Sequence, residues 1–144
     1  MIQTQLIKIG LSLLLSGFVG YEREHNDKPA GLRTIMSICL GATIAVLFNQ
    51  TLAGGNFDYI RLPAYYLAAI GFVGGGIIQK TSKNKIEGIT TASILLPIAI
   101  VGLFCGIGEY LLAGASTLSI YIILKLKYVE VKIIDRKLKR KKKK

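Results

Sequence analysis

Hydrophobic residues fall in four long runs that are separated by short polar segments. The first three runs cover residues 2–20, 32–52 and 62–79, and the fourth extends over residues 89–124. Glu109 is the only charged residue in the fourth run. A membrane-spanning helix needs about 20 mainly apolar residues. The pattern is therefore typical of a polytopic membrane protein and not of a soluble domain.

The fourth run is too long for a single crossing. Its 36 residues would form a helix of about 54 Å, whereas the hydrocarbon core is about 30 Å thick. Gly106 and Gly108 weaken a helix and Glu109 requires water, so we expect the chain to turn at residues 106–109. The run then forms two helices, residues 89–105 and 109–124.

The predicted fold is an all-α membrane protein, a bundle of five transmembrane helices. Residues 1–124 form the transmembrane domain, and residues 125–144 form a basic tail. In the tail, Val129, Val131 and Ile133 alternate with charged residues, which predicts a short strand. Ile134 and Leu138 fit one face of a short helix instead, and the sequence leaves both alternatives open.

The distribution of charge predicts the orientation. The net charge is +11, and residues 125–144 hold eleven of the nineteen lysines and arginines. The segments 21–33 and 80–88 carry three basic residues each. Short basic loops stay in the cytoplasm, and only an odd number of helices puts all three segments on one side. We therefore expect the N-terminus outside and the C-terminus in the cytoplasm, where anionic lipid headgroups, in preference to nucleic acid, are partners for the tail.

The chain also contains an internal repeat. The string GFVG occurs at residues 17–20 and again at residues 71–74. Each copy is followed by a polar segment and then by Gly-aliphatic-x-Thr, at 31–34 and 88–91, which opens the next apolar run. This order predicts a parallel repeat of helices 1–2 and 3–4. The alternative is a chance match between residues that are common in membrane proteins.

The polar segment after the first helix is the main candidate for function. Its candidate residues are Glu22, Arg23, Glu24, Lys28, Arg33 and Thr34. Opposite charges flank a Pro-Ala-Gly turn, so we hypothesise that Arg33 pairs with Glu22 or Glu24 near the membrane surface. The alternative is that these are interfacial charges that only fix the topology. Because Arg23 and Lys28 lie among the acids, no metal site is predicted.

A second set of candidates lies in the second repeat unit. Gly71, Gly74, Gly75 and Gly76 line the third helix, and the spacing of Gly71 and Gly75 allows close helix packing. Gly88, Thr90 and Thr91 open the fourth helix. Threonines at a helix start predict capping of that helix, by Thr90 and Thr91 for the fourth helix and by Thr34 for the second. The alternative is that these helix starts bind an anion together with nearby lysines.

Catalytic chemistry is not expected. The single histidine, His25, has no candidate nucleophile beside it, and the glycines at 71–76 lie within an apolar helix, which excludes a phosphate-binding loop. Cys39 and Cys105 lie inside apolar runs without metal-type spacing. The sequence therefore predicts no enzyme activity, no cofactor and no metal.

Several short strings along the chain form a recognisable set. They are Gly20-x-Glu22-Arg23-Glu24, Lys28-Pro29-Ala30-Gly31-Leu32-Arg33-Thr34, Gly41-Ala42, Asp58-x-x-Arg61, Ile70-Gly71-Phe72-Val73-Gly74-Gly75-Gly76 and Gly88-Ile89-Thr90-Thr91-Ala92. In these strings the chain resembles the MgtC/SapB family of bacterial inner-membrane proteins, and the resemblance covers about residues 5–125. The chain departs from the family pattern at Ile35, where a histidine is frequent, and at Glu87, where a basic residue is frequent.

The resemblance implies a function as well as a fold. Family members are linked to survival at low magnesium and to virulence, and are thought to regulate other membrane proteins, including ATP synthase, without carrying magnesium themselves. Larger members add a soluble cytoplasmic domain, so this chain is expected to be the membrane domain alone. The expected partners are the bilayer and other membrane proteins, with self-association left open. The alternative function is a small transporter or channel subunit for a cation or small solute.

Overall fold

A computed structural model shows a helical bundle. It describes residues 2–52, 61–80 and 84–141, with residues 127–141 described by their backbone alone. Asp58 and Lys83 lie outside the described residues. The helices and strands are α1 (Ile2–His25), α2 (Leu32–Leu52), α3 (Arg61–Ile77), β1 (Gln79–Lys80), β2 (Ile86–Glu87), α4 (Ile89–Ile107) and α5 (Tyr110–Lys141).

The prediction of an all-α membrane bundle with five helices is confirmed for the described residues. Among them, α1, α2 and α4 are long and apolar enough to cross a membrane. The helix α3 has 17 residues, and Tyr110–Leu126 forms a shorter apolar segment of α5. The two-residue strands β1 and β2 pair in antiparallel fashion and join α3 to α4.

The chain turns between α4 and α5 at the predicted glycines. α4 ends at Ile107, and Gly108 follows in a left-handed conformation with φ 104°. The backbone N–H groups of Gly108 and Glu109 both donate to the carbonyl of Phe104, at 2.9 Å. A glycine after the last helical residue is favoured because it adopts positive φ without strain.

The predicted short strand in the tail is wrong. The backbone of residues 129–133 is helical, because it continues α5 without interruption through Lys141. Extending an existing helix adds one hydrogen bond for each residue fixed, whereas starting a new element is costly. Lysine and arginine are also good helix formers.

Contacts between helices fix their relative directions. The Nζ of Lys8 in α1 donates to the carbonyl of Gly106 in α4 at 2.8 Å, and Arg23 in α1 reaches Thr91 in α4. α1 and α4 are therefore antiparallel. The rings of Phe18 in α1 and Tyr121 in α5 lie 4.6 Å apart, and α5 begins just after Gly108, which lies beside Lys8. α5 therefore runs in the same direction as α1. We call the two ends of the bundle the Lys8 end and the Arg23 end.

The closest approach in the core is between α2 and α4. A Cβ added to Gly102 would meet the backbone carbonyl of Cys39, and one added to Gly106 would lie 2.6 Å from Cβ of Val46. The hydroxyl of Thr43 donates to the carbonyl of Gly102 at 2.9 Å. Two small residues four positions apart thus allow the two backbones to touch, as in other membrane helix pairs.

Candidate functional site

The first helix extends further than its apolar run. It continues past the predicted end at Gly20 to His25, and Asp27 then adopts a left-handed conformation with φ 50°. The backbone N–H of Lys28 donates to the carbonyl of Arg23 at 3.2 Å. The three charged residues before the turn therefore belong to a helix and not to a loop.

Helical geometry sends these three side chains to different faces. Glu22 is 8% exposed and Arg23 is 4% exposed, whereas Glu24 is exposed. The two buried residues face the bundle at the Arg23 end. Burial of charge at this depth requires polar partners.

Glu24 caps the next helix. Its Oε2 accepts a hydrogen bond from the backbone N–H of Leu32, the first residue of α2, at 2.8 Å. A side chain at Gly31 would clash with this carboxylate. The backbone of Leu32 also lies against Gly20, where an added Cβ would be 2.9 Å from Cα of Leu32. The string from Gly20 to Leu32 is thus a compact connection that holds a carboxylate on the positive end of α2.

We expect Glu24→Ala to destabilise the protein by about 1 kcal/mol, the usual contribution of a capping side chain. Thermal melting in detergent measures this loss. Glu87→Ala is the matched control, because Glu87 is an exposed glutamate at the same end that makes no capping hydrogen bond. Equal melting temperatures for the two variants would contradict the capping role.

Arg23 links α1 to α4. Its Nη2 donates to the hydroxyl of Thr91 at 2.5 Å, and Thr91 is only 3% exposed. The Nε of Arg23 is buried and has no hydrogen-bond partner among the described residues. An arginine at the end of α1 therefore contacts the Gly-aliphatic-x-Thr string at the start of α4.

Glu22 is held by its own helix. The Nδ2 of Asn26 donates to Oε1 of Glu22 at 3.0 Å and to its backbone carbonyl at 2.7 Å. Oε2 of Glu22 is buried and has no hydrogen-bond partner among the described residues. Carboxylate and guanidinium are thus both buried here, and each keeps one polar atom unsatisfied.

The other predicted residues of this segment lie nearer the surface. Arg33 is exposed, and Lys28 and Thr34 are half-buried. No ion pair between Arg33 and a carboxylate is found in the part of the chain that the structure describes, and the carboxylate of Glu24 is bonded to backbone instead. The arginine that is buried and bonded is Arg23.

The prediction that a threonine caps the start of α4 is wrong. Its N-cap residue is Gly88, with φ 92°, and no side chain of the described residues caps it. Thr90 is exposed, and Thr91 accepts a hydrogen bond from Arg23. The carbonyl of Ile77 lies so close to Gly88 that an added Cβ would clash, which explains the glycine at this position.

The glycines of α3 pack within the chain less than expected. Gly74 lies against Ala92, whose carbonyl would be 3.5 Å from an added Cβ. Gly71, Gly75 and Gly76 have no atom of the described residues within 4 Å of such a Cβ. Only Gly74 therefore makes the predicted close approach inside the bundle, because the other three point away from α4.

Two features were missed by sequence reasoning. Lys8, a charged residue within the first apolar run, bonds the last turn of α4. Gly102 and Gly106 form the tight contact of the core. Their four-residue spacing is the same signal as in α3 and could have been recognised.

The chain matches known proteins over most of its length. The sequence model of the MgtC family matches residues 9–131. The chain belongs to the MgtC family. It is 34% identical to Protein SapB of Bacillus subtilis over 81% of this chain and 53% of that protein. It is 38% identical to Protein MgtC of Brucella abortus, over 78% and 45% of the two chains.

A third relative matches over a similar share of both chains. Protein MgtC of Salmonella typhimurium is 31% identical over 80% of this chain and 48% of that protein. The chain thus spans about half the length of the curated relatives that it matches. No solved structure matches it. Family membership and the apolar helices establish a membrane protein of the MgtC family.

Metal binding finds no geometric support within the described residues. No three or more of their histidine, cysteine, aspartate and glutamate side chains come together in a way that could hold a metal ion. Glu22 and Glu24, which are close in sequence, point to different faces of α1, and each already bonds a nitrogen.

Proposed function

We propose that this protein is a regulatory membrane protein that acts by docking against helices of other membrane proteins, in magnesium or ion homeostasis or stress adaptation. The proposal rests on membership of the MgtC family together with the outer face of α3. This face consists of Gly71, Phe72, Gly75 and Gly76.

The outer face of α3 combines an open backbone with an exposed ring. The three glycines have free space around them within the described residues, and Phe72 is 87% exposed. In the membrane, helices associate through close backbone contact and van der Waals packing, because lipid removes the hydrophobic driving force. A partner helix could approach α3 closely and pack against Phe72.

A transporter for a cation or small solute is the second candidate. It is favoured by the row of buried hydroxyls on α1, where Ser12 and Ser16 are both 0% exposed. However, these hydroxyls donate to carbonyls of their own helix, Ser12 to Ile9 at 2.8 Å and Ser16 to Ser12 at 2.6 Å. A coupled carrier usually places a carboxylate at mid-membrane. The acids whose side chains the structure describes lie near helix ends or between helices: Glu22, Glu24, Asp27, Glu87 and Glu109. The docking function is therefore better supported.

We expect Gly75→Leu to abolish capture of the partner while leaving the fold intact. Leucine at this position would block close approach, and it forms helices better than glycine by up to about 1 kcal/mol. The measurement is photocrosslinking in native membranes from a probe at Phe72. ATP synthase, named by the family resemblance, is the first partner to examine by immunodetection.

Gly10→Leu is the matched control. Gly10 is exposed in α1 and also has no described atom within 4 Å of an added Cβ. Equal crosslinking by both variants would contradict docking through α3. Robust ion flux through the purified protein in liposomes would favour the transporter over the regulator.

A further inference from the structure

Among the described residues, no negative group bonds the start of α4, although a helix N-terminus attracts one. The first N–H groups of a helix have no partner within it and carry a partial positive charge. Gly88 provides no side chain, and the described residues provide no other capping side chain. Glu87 precedes Gly88, but its side chain is exposed and does not cap α4.

The repeat shows what is missing. In the first unit, the carboxylate of Glu24 bonds the first N–H of α2. Alignment of the two GFVG strings places Ile78 at the position equivalent to Glu24. The second unit therefore has an apolar residue where the first unit supplies an anion.

A buried cation adds to this imbalance. Arg23 is 4% exposed and bonds Thr91, the third residue of α4. A positive side chain at the positive end of a helix is unfavourable unless an anion lies between them. The Nε of Arg23 is buried and has no hydrogen-bond partner among the described residues, so one donor beside the first turn of α4 is unsatisfied.

The nearest acids do not neutralise this cation by contact. Oε1 of Glu22 is held by Asn26, and no ion pair joins Arg23 to a carboxylate within the described residues. The charge of Glu22 nevertheless acts on Arg23 at short range, and the adjoining hairpin carries exposed Glu87 as well as exposed Lys80 and Lys85. Among the described residues, three positive side chains and the N–H groups of α4 thus lie around this helix start with two carboxylates, which leaves a positive excess.

We propose that the N-terminus of α4 and Arg23 together bind a phosphate group. Helix N-termini present several N–H groups to one oxyanion, and the planar guanidinium of arginine suits phosphate oxygens. The group comes either from an anionic phospholipid headgroup in the adjacent leaflet or from free phosphate. This site goes beyond the proposed docking function, which uses the opposite, outward face of α3.

The test is native mass spectrometry of the purified chain in a neutral detergent. The probes are phosphatidylglycerol, phosphatidylcholine and inorganic phosphate, each titrated separately. Arg23→Gln should weaken binding about tenfold or more, the value of one lost charge-assisted hydrogen bond. Arg33→Gln is the matched control, since it removes the same charge from the exposed arginine of the same segment, and should change binding by less than about twofold.

A second variant keeps the test valid if Arg23→Gln does not fold. Ile78→Glu restores the carboxylate that the first unit has, at a position that is 43% exposed and adjoins the Ile77 carbonyl packed on Gly88. This internal anion should compete with the ligand, so that binding is lost while the ligand-free protein melts at a higher temperature.

The outcomes separate the sources of the phosphate. Binding of phosphatidylglycerol that inorganic phosphate does not displace identifies a lipid headgroup, and saturable binding of inorganic phosphate identifies a free anion. Both results support the site if Arg23→Gln or Ile78→Glu abolishes them. Failure of both phosphatidylglycerol and inorganic phosphate to bind, or binding that resists both variants, would overturn it.

Discussion

Gly102→Ala should destabilise the protein strongly although alanine is the best helix former. The added Cβ would meet the backbone carbonyl of Cys39, and a backbone atom in the middle of α2 cannot move without shifting the whole helix. Overpacking of a core costs about 1–3 kcal/mol, and we expect the upper end here. The fall in melting temperature in detergent measures the effect.

Two variants calibrate this expectation. At Gly114 in α5 an added Cβ meets no described atom within 4 Å, so Gly114→Ala should be neutral or stabilise by up to about 1 kcal/mol. Gly106→Ala should lie between, because its nearest neighbour, the Cβ of Val46 at 2.6 Å, is less close than the backbone carbonyl that a side chain at Gly102 would meet. If Gly102→Ala and Gly114→Ala melted alike, α2 and α4 would not be in close contact.

The number of helices could be predicted from the sequence because an apolar run of membrane length can form few structures other than a spanning helix. The turn at Gly106–Glu109 followed from length and from two glycines, and it is confirmed. The end of α1 could not be predicted, because Glu22, Arg23 and Glu24 are polar. They remain helical since their partners, Asn26, Thr91 and the backbone of Leu32, are supplied by folding.

The packing of glycines shows a second limit. Gly71 and Gly75 have the same spacing as Gly102 and Gly106, yet within the described residues only the second pair lies against another helix. Spacing indicates that a helix face is small, whereas the identity of its neighbour depends on the arrangement of the bundle. α4 lies at the centre, where it contacts α2 through Thr43 and α1 through Lys8 and Arg23.

The choice of arginine in the candidate site illustrates the same limit. Arg23 and Arg33 are both within the charged segment, and the sequence favoured Arg33 because it starts α2 beside the turn. The continuation of α1 turns Arg23 inward and leaves Arg33 exposed. One extra helical turn therefore decides which of the two arginines contacts α4.

Labelling of introduced cysteines should place three exposed positions on two sides of the membrane. His25 and Lys85 lie at the Arg23 end and Glu109 at the Lys8 end, and all three are exposed. Because basic loops stay in the cytoplasm, an impermeant maleimide should reach cysteines at 25 and 85 only in inverted vesicles, and at 109 only in spheroplasts. Cys39 and Cys105 are 0% exposed and should not react with the maleimide, so the unsubstituted protein serves as the negative control.

Each pattern of labelling has a separate meaning. Reaction at 25 and 85 from opposite sides would contradict the bundle, since the bond from Arg23 to Thr91 requires both segments at one end. Reaction of all three positions from the reversed sides would keep the bundle and contradict the orientation with the N-terminus outside. The expected result, labelling of each position in only one of the two preparations, would place the start of α4 and Arg23 at the cytoplasmic surface. Anionic headgroups and soluble phosphate are both present there.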